Sequence, residues 1–465
     1  MEKSKNSSII RGSFRDPSGF LFCREGAIYR QVNISYKENY DYLMNSGLYE
    51  SLTNSSLLIP HEECYTEAVR PDSVYKIIRP DLIPFISYPY EWSFSQLKES
   101  ALITLQIQKK SLEFGMSLKD GSAYNIQFKN SKPIFIDTLS FEKYREGQPW
   151  FAYRQFCQHF LAPLALMANC DIRLGQLLRL NVDGIPLDLA SSLLPFQTRL
   201  TFSLLSHIHL HAKSQKHFAN KTISKNGRKM SRLSFLGLID SLESAIKKLN
   251  WLPKGTEWAE YYEDTNYSPE ALEHKKQIVT AFLEKIDPLC VWDLGANTGL
   301  FSRISSVNGI QTISFDLDPA AVEKNYRVCR KTGETNILPL VLDLSNPSPG
   351  IGWANQERMS FLERSPVNTA LALALVHHLA ISQNLPIDRI TEFFAHICNT
   401  LIIEFIPKAD SQVQRLLSTR EDIFPDYTQA VFEVEFAKYF VIKDSTRIKD
   451  SQRTLYLMQR RAKEL

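Results

Sequence analysis

The run Leu289-Cys290-Val291-Trp292-Asp293-Leu294-Gly295 is apolar, stops on an acid and a glycine, and leads through Ala296-Asn297-Thr298-Gly299 into a helical segment, Leu300–Val307. This passage constrains the chain more than any other. Glycines at 295 and 299 let the backbone turn sharply and approach a ligand that a Cβ would obstruct. The helix that follows presents free N–H groups to a carboxylate or phosphate. From about Glu257 onward, β-branched runs alternate with helical segments, the pattern of a parallel α/β sheet.

A second strand, Gln311-Thr312-Ile313-Ser314-Phe315-Asp316, again ends in an acid, about twenty residues on, where a Rossmann-type sheet offers a carboxylate to ribose hydroxyls. Asp318-Pro319 opens the next helix, with proline at the first helical position. A third strand, Ile337–Leu342, delivers Asp343; a fourth, Thr369–Val376, runs into His377-His378; a helix about Ile387–Asn399 precedes a fifth, Thr400–Phe405. The chain ends on two further apolar runs, Tyr439–Ile442 and Thr454–Met458.

The D-x-G-x-x-x-G loop with these strand-end acids resembles the class I S-adenosylmethionine-dependent methyltransferases. The missing GxGxxG and the two closing runs, which resemble the antiparallel hairpin of that fold, disfavour a dehydrogenase. The resemblance implies a Rossmann-like α/β sheet closed by an antiparallel hairpin. It implies cofactor binding by Asp293, Gly295, Asn297, Gly299, Asp316 and Asp343, the last at the adenine amino group. The likeness is to a bacterial branch that includes nodulation-associated proteins, and it extends upstream to Ser87-Tyr88-Pro89-Tyr90-Glu91-Trp92.

Methyl transfer is a displacement at a sulfonium methyl, so aligning the nucleophile and excluding water are the main tasks. An oxygen nucleophile often needs a general base, and His377, His378 and Glu404 at the fourth and fifth strand ends are the candidates. No NPPY-type tetrapeptide follows the fourth strand, which disfavours base or amide N-methylation. The expected reaction is O-methylation of a small-molecule or glycan-type acceptor. An RNA methyltransferase and a non-catalytic cofactor-binding protein are the competing readings. Tyr261–Ser268, dense in aromatic and polar groups, either closes over the methionine moiety or substrate or is a packed linker.

With 465 residues, more than one domain is expected, and 44% hydrophobic with 23% charged residues is globular composition. Three textures follow one another: an α+β region over 13–146, a mostly helical connector over 147–256, and the methyltransferase-like region over 257–465. Seven dispersed cysteines without a CxxC pair read as reduced thiols in a cytoplasm. No stretch of ~18 uncharged apolar residues occurs, so no span and no membrane partner are expected. Between Asp188 and Asp240 there is no acid, while Arg199, Lys213, Lys216, Lys221, Lys225, Arg228, Lys229 and Arg232 lie inside; this is a solvated loop or a contact for nucleic acid. His207, His209 and His211 have no carboxylate or thiol nearby and read as ordinary polar positions rather than a metal site.

In the first region a helix over Ser95–Phe114 ends at Gly115, followed by Leu118-Lys119-Asp120, Asn125, a hairpin Ile126–Ile136, and Asp137. This order resembles the catalytic core of protein kinases and aminoglycoside-type phosphotransferases. The resemblance implies that Asp120 orients an acceptor hydroxyl and that Asn125 and Asp137 bind magnesium beside ATP. Two features depart from that pattern: no histidine precedes Asp120, and Cys23-Arg24-Glu25-Gly26 has one glycine. Lys76 and Arg30 are the candidates to replace the strand lysine.

Overall fold

The apolar runs from Cys290 onward assemble, in the computed structural model, into one seven-stranded sheet. Residues 7–213, 229–253 and 267–462 are described. The chain forms two units: one runs to Leu252 and includes Gly350–Arg358, and the other holds Pro253–Pro349 and Met359–Leu465.

In the second unit, β1 (Cys290–Leu294), β2 (Gln311–Asp316), β3 (Ile337–Val341), β4 (Val367–Ala372), β5 (Cys398–Phe405), β6 (Phe440–Arg447) and β7 (Thr454–Arg460) lie in the order β3-β2-β1-β4-β5-β7-β6. Strands β1 to β5 pair in parallel, and β7 runs antiparallel to both β5 and β6. The expected terminal hairpin is present, and its first strand is longer than its apolar residues suggested. Connections leave β1 toward β2 on one side and reach β4 on the other. Such a reversal opens a crevice at the carboxyl ends of the strands.

Side-chain alternation builds the two faces of this sheet. Val291 faces helix α1 (Pro269–Ile286) and joins Val279, Phe282, Leu283, Leu371 and Leu455 in one buried cluster. Trp292 points the other way, its ring centroid 5.6 Å from Phe315 and 5.0 Å from Phe361. Helix α1 begins where the Ser268 hydroxyl accepts from the Ala271 amide at 3.1 Å, with Pro269 in its first turn, and ends at Asp287, whose φ of 49° breaks the helix.

The first unit carries a five-stranded antiparallel sheet of Ser8–Ile9, Gly19–Arg24, Ala27–Asn33, Val74–Pro80 and His61–Glu63, in that spatial order. The helix read from Leu97, Ala101, Leu105 and Leu112 spans Phe94–Glu113. Ser93 and Gln96 cap it reciprocally, the Ser93 amide donating to Gln96 Oε1 at 2.8 Å. Strands Ile126–Lys129 and Lys132–Phe135 form the expected hairpin. The helices up to Lys248 belong to the same unit, as does Gly350–Arg358, where Glu357 pairs with Arg15 at 2.7 Å and the Arg358 guanidinium lies 4.1 Å from the Tyr124 ring centroid.

Among the described residues no helix is long and apolar enough to cross a membrane, and no three His, Cys, Asp or Glu residues group as a metal site. His207 bonds Tyr153 and Ser241 at 2.8 and 2.9 Å, and His211 stacks on Tyr153, so these are polar packing positions. Lys216, Lys221, Lys225 and Arg228 of the basic stretch, and Tyr261–Asn266 before α1, lie outside the described residues.

Candidate functional site

The crevice at the end of β1 is a cavity of about 310 Å³ whose walls include Asp293, Gly295, Asn297, Asp316, Asp343 and His378. Gly295 has φ of +77° and Asn297 of +51°, so the loop after β1 coils through the left-handed region, which glycine and asparagine tolerate. That coil aims the Asn297 amide at Asp316 Oδ2, 2.7 Å away, while Oδ1 accepts from the Asp318 amide at 2.8 Å. Burial raises the pKa of Asp316 to about 6. Asp293 is likewise raised to about 6 by burial, and accepts from Ser302 Oγ at 2.6 Å. Asp343 accepts from the amide and hydroxyl of Ser345 at 2.8 and 2.6 Å.

Gly299 stands behind the wall, at the start of helix α2 (Leu300–Ser306), with φ of +82°. A Cβ there would sit 2.6 Å from the Asn325 amide group and 2.7 Å from the Arg303 guanidinium. Its glycine serves that packing. The residues fit an adenosine ligand: a buried acid for ribose, a second acid one strand further, and a backbone coil open to a carboxylate.

The two histidines separate. His378 lies on the wall and burial lowers its pKa to about 4, leaving it neutral at pH 7. His377 is buried outside the cavity lining, its ring centroid 4.1 Å from that of His378. Burial, with His378, Arg453 and Lys275, pushes its pKa well down.

Glu404 is also behind the wall. Its Oε2 accepts from Lys275 Nζ at 2.7 Å and from the Ala374 amide at 2.8 Å, and Oε1 accepts from the Tyr267 hydroxyl. Burial favours the neutral acid, but the charges of Lys275 and Arg453 outweigh it and hold Glu404 below the usual range. Lys275 is lowered by burial against the pull of Glu404. Arg453 clamps Asp410 at 2.7 and 2.9 Å and lies 4.4 Å from the Tyr267 ring centroid. Ala374, at φ of 51°, lines the cavity just after β4, and Glu404 secures its amide. Lys275 went unnoticed in the sequence. Its signal was its place on the buried stripe Ala271, Lys275, Val279, Phe282 of α1.

In the first unit Asp120, Asn125 and Asp137 do come together. Asp120 is raised by burial first, with hydrogen bonding to Ser122 and Asn125 opposing and the charge of Asp137 adding. Asp137 ion-pairs with Arg30, its Oδ2 takes the Ser140 hydroxyl, and its Oδ1 accepts from the Leu139 amide at 3.1 Å. Oδ1 thus takes two donors and Oδ2 one, and Arg30 supplies the countercharge that a metal ion would otherwise bring. Asn125 donates to Ser140 Oγ at 3.2 Å. As arranged, Asp137 is one half of an ion pair with Arg30, a cation standing where a magnesium ligand would need its carboxylate. Lys76 is paired with Glu63 at 2.6 Å, and Arg24 beside the single-glycine turn bonds Ser7 and Thr66 at 2.8 and 2.7 Å. Millimolar ATP with magnesium is expected to leave the melting of this unit unchanged; a magnesium-dependent rise lost in Asp137→Asn would overturn the closed arrangement.

A sheet of this order, with one antiparallel strand and a cavity at the β1 switch point, defines a doubly wound α/β unit with a ligand crevice at its strand ends. Nodulation protein NoeA of Rhizobium meliloti (strain 1021) is 35% identical over 459 residues, covering 97% of this chain and 96% of that protein. The chain belongs to the family of NoeA. No family model matches it. Among solved structures it is similar to magnesium protoporphyrin IX methyltransferase (ChlM) from Synechocystis PCC 6803, at 16% identity and a TM-score of 0.31, over 44% of this chain and 93% of that one. N-methyltransferase NodS from Bradyrhizobium japonicum WM9 matches at 9% identity and a TM-score of 0.30, over 42% and 99%.

Proposed function

We propose that the chain is an S-adenosylmethionine-dependent methyltransferase acting on an oxygen of a small-molecule or glycan-type acceptor. The observation that carries this reading is Asp316, fixed by two backbone amides opposite the left-handed coil of Gly295 and Asn297, on the wall of the switch-point cavity. Asp316 binds the ribose diol, Asp343 the adenine amino group, and Asp293 with the Gly295 coil the methionine end. Bound adenosylmethionine supplies an electrophilic methyl group. Leu373 and Leu375 give the cavity wall after β4 an apolar surface, which would keep water from the methyl group.

With the cofactor bound, the acceptor oxygen would take the methyl as its bond to sulfur breaks and S-adenosylhomocysteine leaves, and His378 would take the acceptor's hydroxyl proton on a ring nitrogen. Burial keeps His378 neutral at pH 7, the form that accepts a proton. Glu404 is a positioning residue: its oxygens are occupied by Lys275, Tyr267 and Ala374, and through Ala374 it sets the wall after β4.

Purified protein with labelled adenosylmethionine and hydroxylated acceptors tests the reaction directly. His378→Ala is expected to lower kcat by about 10²–10⁴ and leave adenosylmethionine affinity nearly unchanged. Because His378 is neutral from pH 5 to 8, the acid limb of the rate profile should lie near pH 6, where Asp316 and Asp293 protonate. A limb near 6.5 that vanishes in His378→Ala would instead give His378 an ordinary imidazole pKa and contradict its burial.

A further inference from the structure

The helix Leu187–Leu193, the turn Phe196–Leu200 and the short helix starting at Phe202 form one corner of the first unit. Leu193, Phe196, Leu200 and Phe202 stand in solvent there with exposures of 45%, 68%, 78% and 78%. Single exposed apolar residues are ordinary, but four large ones within ten residues make a patch that calls for a partner.

This corner is braced from inside. The ring of buried His209 bonds Ser191 Oγ through Nδ1 at 2.8 Å and Thr198 Oγ1 through Nε2 at 3.0 Å, tying the helix to the turn. Thr198 also donates to the Pro195 carbonyl at 2.6 Å. The outward residues are therefore held by an ordered scaffold.

Charge identifies the partner. Arg199 lies 5.8 Å from the Phe196 ring centroid, within the patch, and exposed Lys213 follows it along the chain. The sequence between Asp188 and Asp240 contains eight Lys or Arg residues and no Asp or Glu, in a chain whose whole net charge is only +3. An apolar patch that carries Arg199, with exposed Lys213 close by along the chain, is an arrangement that dips into one leaflet of an anionic bilayer while those cations meet the headgroups.

We propose that Leu193, Phe196, Leu200 and Phe202, with Arg199, form a docking surface for an anionic lipid bilayer. The expectation of no membrane partner rested on the lack of a span, and a surface that enters one leaflet needs none. The proposal is independent of the methyltransferase reading.

Co-sedimentation of the full chain with phosphatidylcholine vesicles, with and without phosphatidylserine, tests it. Binding is expected to require phosphatidylserine and to weaken as salt rises. Phe196→Ser with Phe202→Ser should reduce vesicle affinity about tenfold or more, and Arg199→Gln should flatten the salt dependence. Phe202→Trp gives a second readout that does not depend on the serine variant folding: its difference emission should shift to the blue on phosphatidylserine vesicles. Several results would overturn the proposal: no vesicle binding, binding indifferent to phosphatidylserine, or an unshifted difference emission from the Phe202→Trp variant. A concentration-dependent dimer, or RNA binding, abolished by the two serine substitutions would assign the patch to that partner instead.

Discussion

Asp316→Asn is expected to remove most adenosylmethionine binding while stabilising the ligand-free second unit above pH 7. The binding loss follows from two charge-assisted hydrogen bonds to a diol, worth about 1.5–3 kcal/mol each, so Kd should rise by about 10²–10⁴. The stability change has the opposite sign. Burial raises Asp316 from 3.8 to about 6, so the folded state binds this proton more tightly than the unfolded one. Stability from that difference is present below pH 3.8 and lost as pH rises through 6, a penalty of about 3 kcal/mol at neutral pH. Asparagine carries no charge to desolvate, but its single acceptor oxygen leaves the Asn297 or Asp318 amide short of a partner. The net gain should be about 1–2 kcal/mol at pH 8 and absent at pH 4. Calorimetric titration and thermal melts at both pH values measure the two effects. An unchanged Kd in a folded variant would remove the ribose assignment.

Glu404→Ala should have the largest stability effect in the second unit. It leaves Lys275 and Arg453, which are 2% and 1% exposed, facing each other without their shared carboxylate, and it strips the Ala374 amide of its acceptor. Removing one partner of a buried pair costs about 3–5 kcal/mol. Urea denaturation should show a loss of that size, and adding Lys275→Met should recover part of it because the uncompensated charge goes too. Equal stability for the single and double variants would mean that Lys275 is neutral or relocates. A small loss for Glu404→Ala would mean that water or Asp410 takes over the countercharge.

The strand-end acids were legible because each strand in this sheet is short, apolar and buried, so Asp293, Asp316 and Asp343 interrupt the pattern where the crevice must lie. Reading β4 through to Val376 overran the strand, which stops at Ala372. Ala374 is left-handed, and nothing about an alanine announces that. That turn also decides which of two adjacent histidines meets the cavity, a choice of rotation that composition does not encode. Lys275 was hidden for a different reason. A lysine on a helix reads as solvated, and only Glu404, more than a hundred positions away, makes its burial tolerable. In the first unit, the helix Phe94–Glu113 and the hairpin beyond Asn125 are local patterns and were readable. The pairing of Arg30 with Asp137 joins the sheet to the hairpin's far end, and it converts an expected metal ligand into one half of an ion pair.

The segment Gly350–Arg358 bears on how the protein is made. Its residues complete the first unit, with Glu357 against Arg15 and Arg358 over Tyr124, yet they follow the first three strands of the other unit's sheet in the chain. At about 5–20 residues per second, a ribosome that has passed Leu252 reaches Arg358 roughly 5–20 s later. Throughout that interval the nascent first unit lacks the carboxylate for Arg15 and the cation for Tyr124. Completion of the first unit is therefore tied to translation of its neighbour, and a polypeptide cut at Leu252 lacks both contacts.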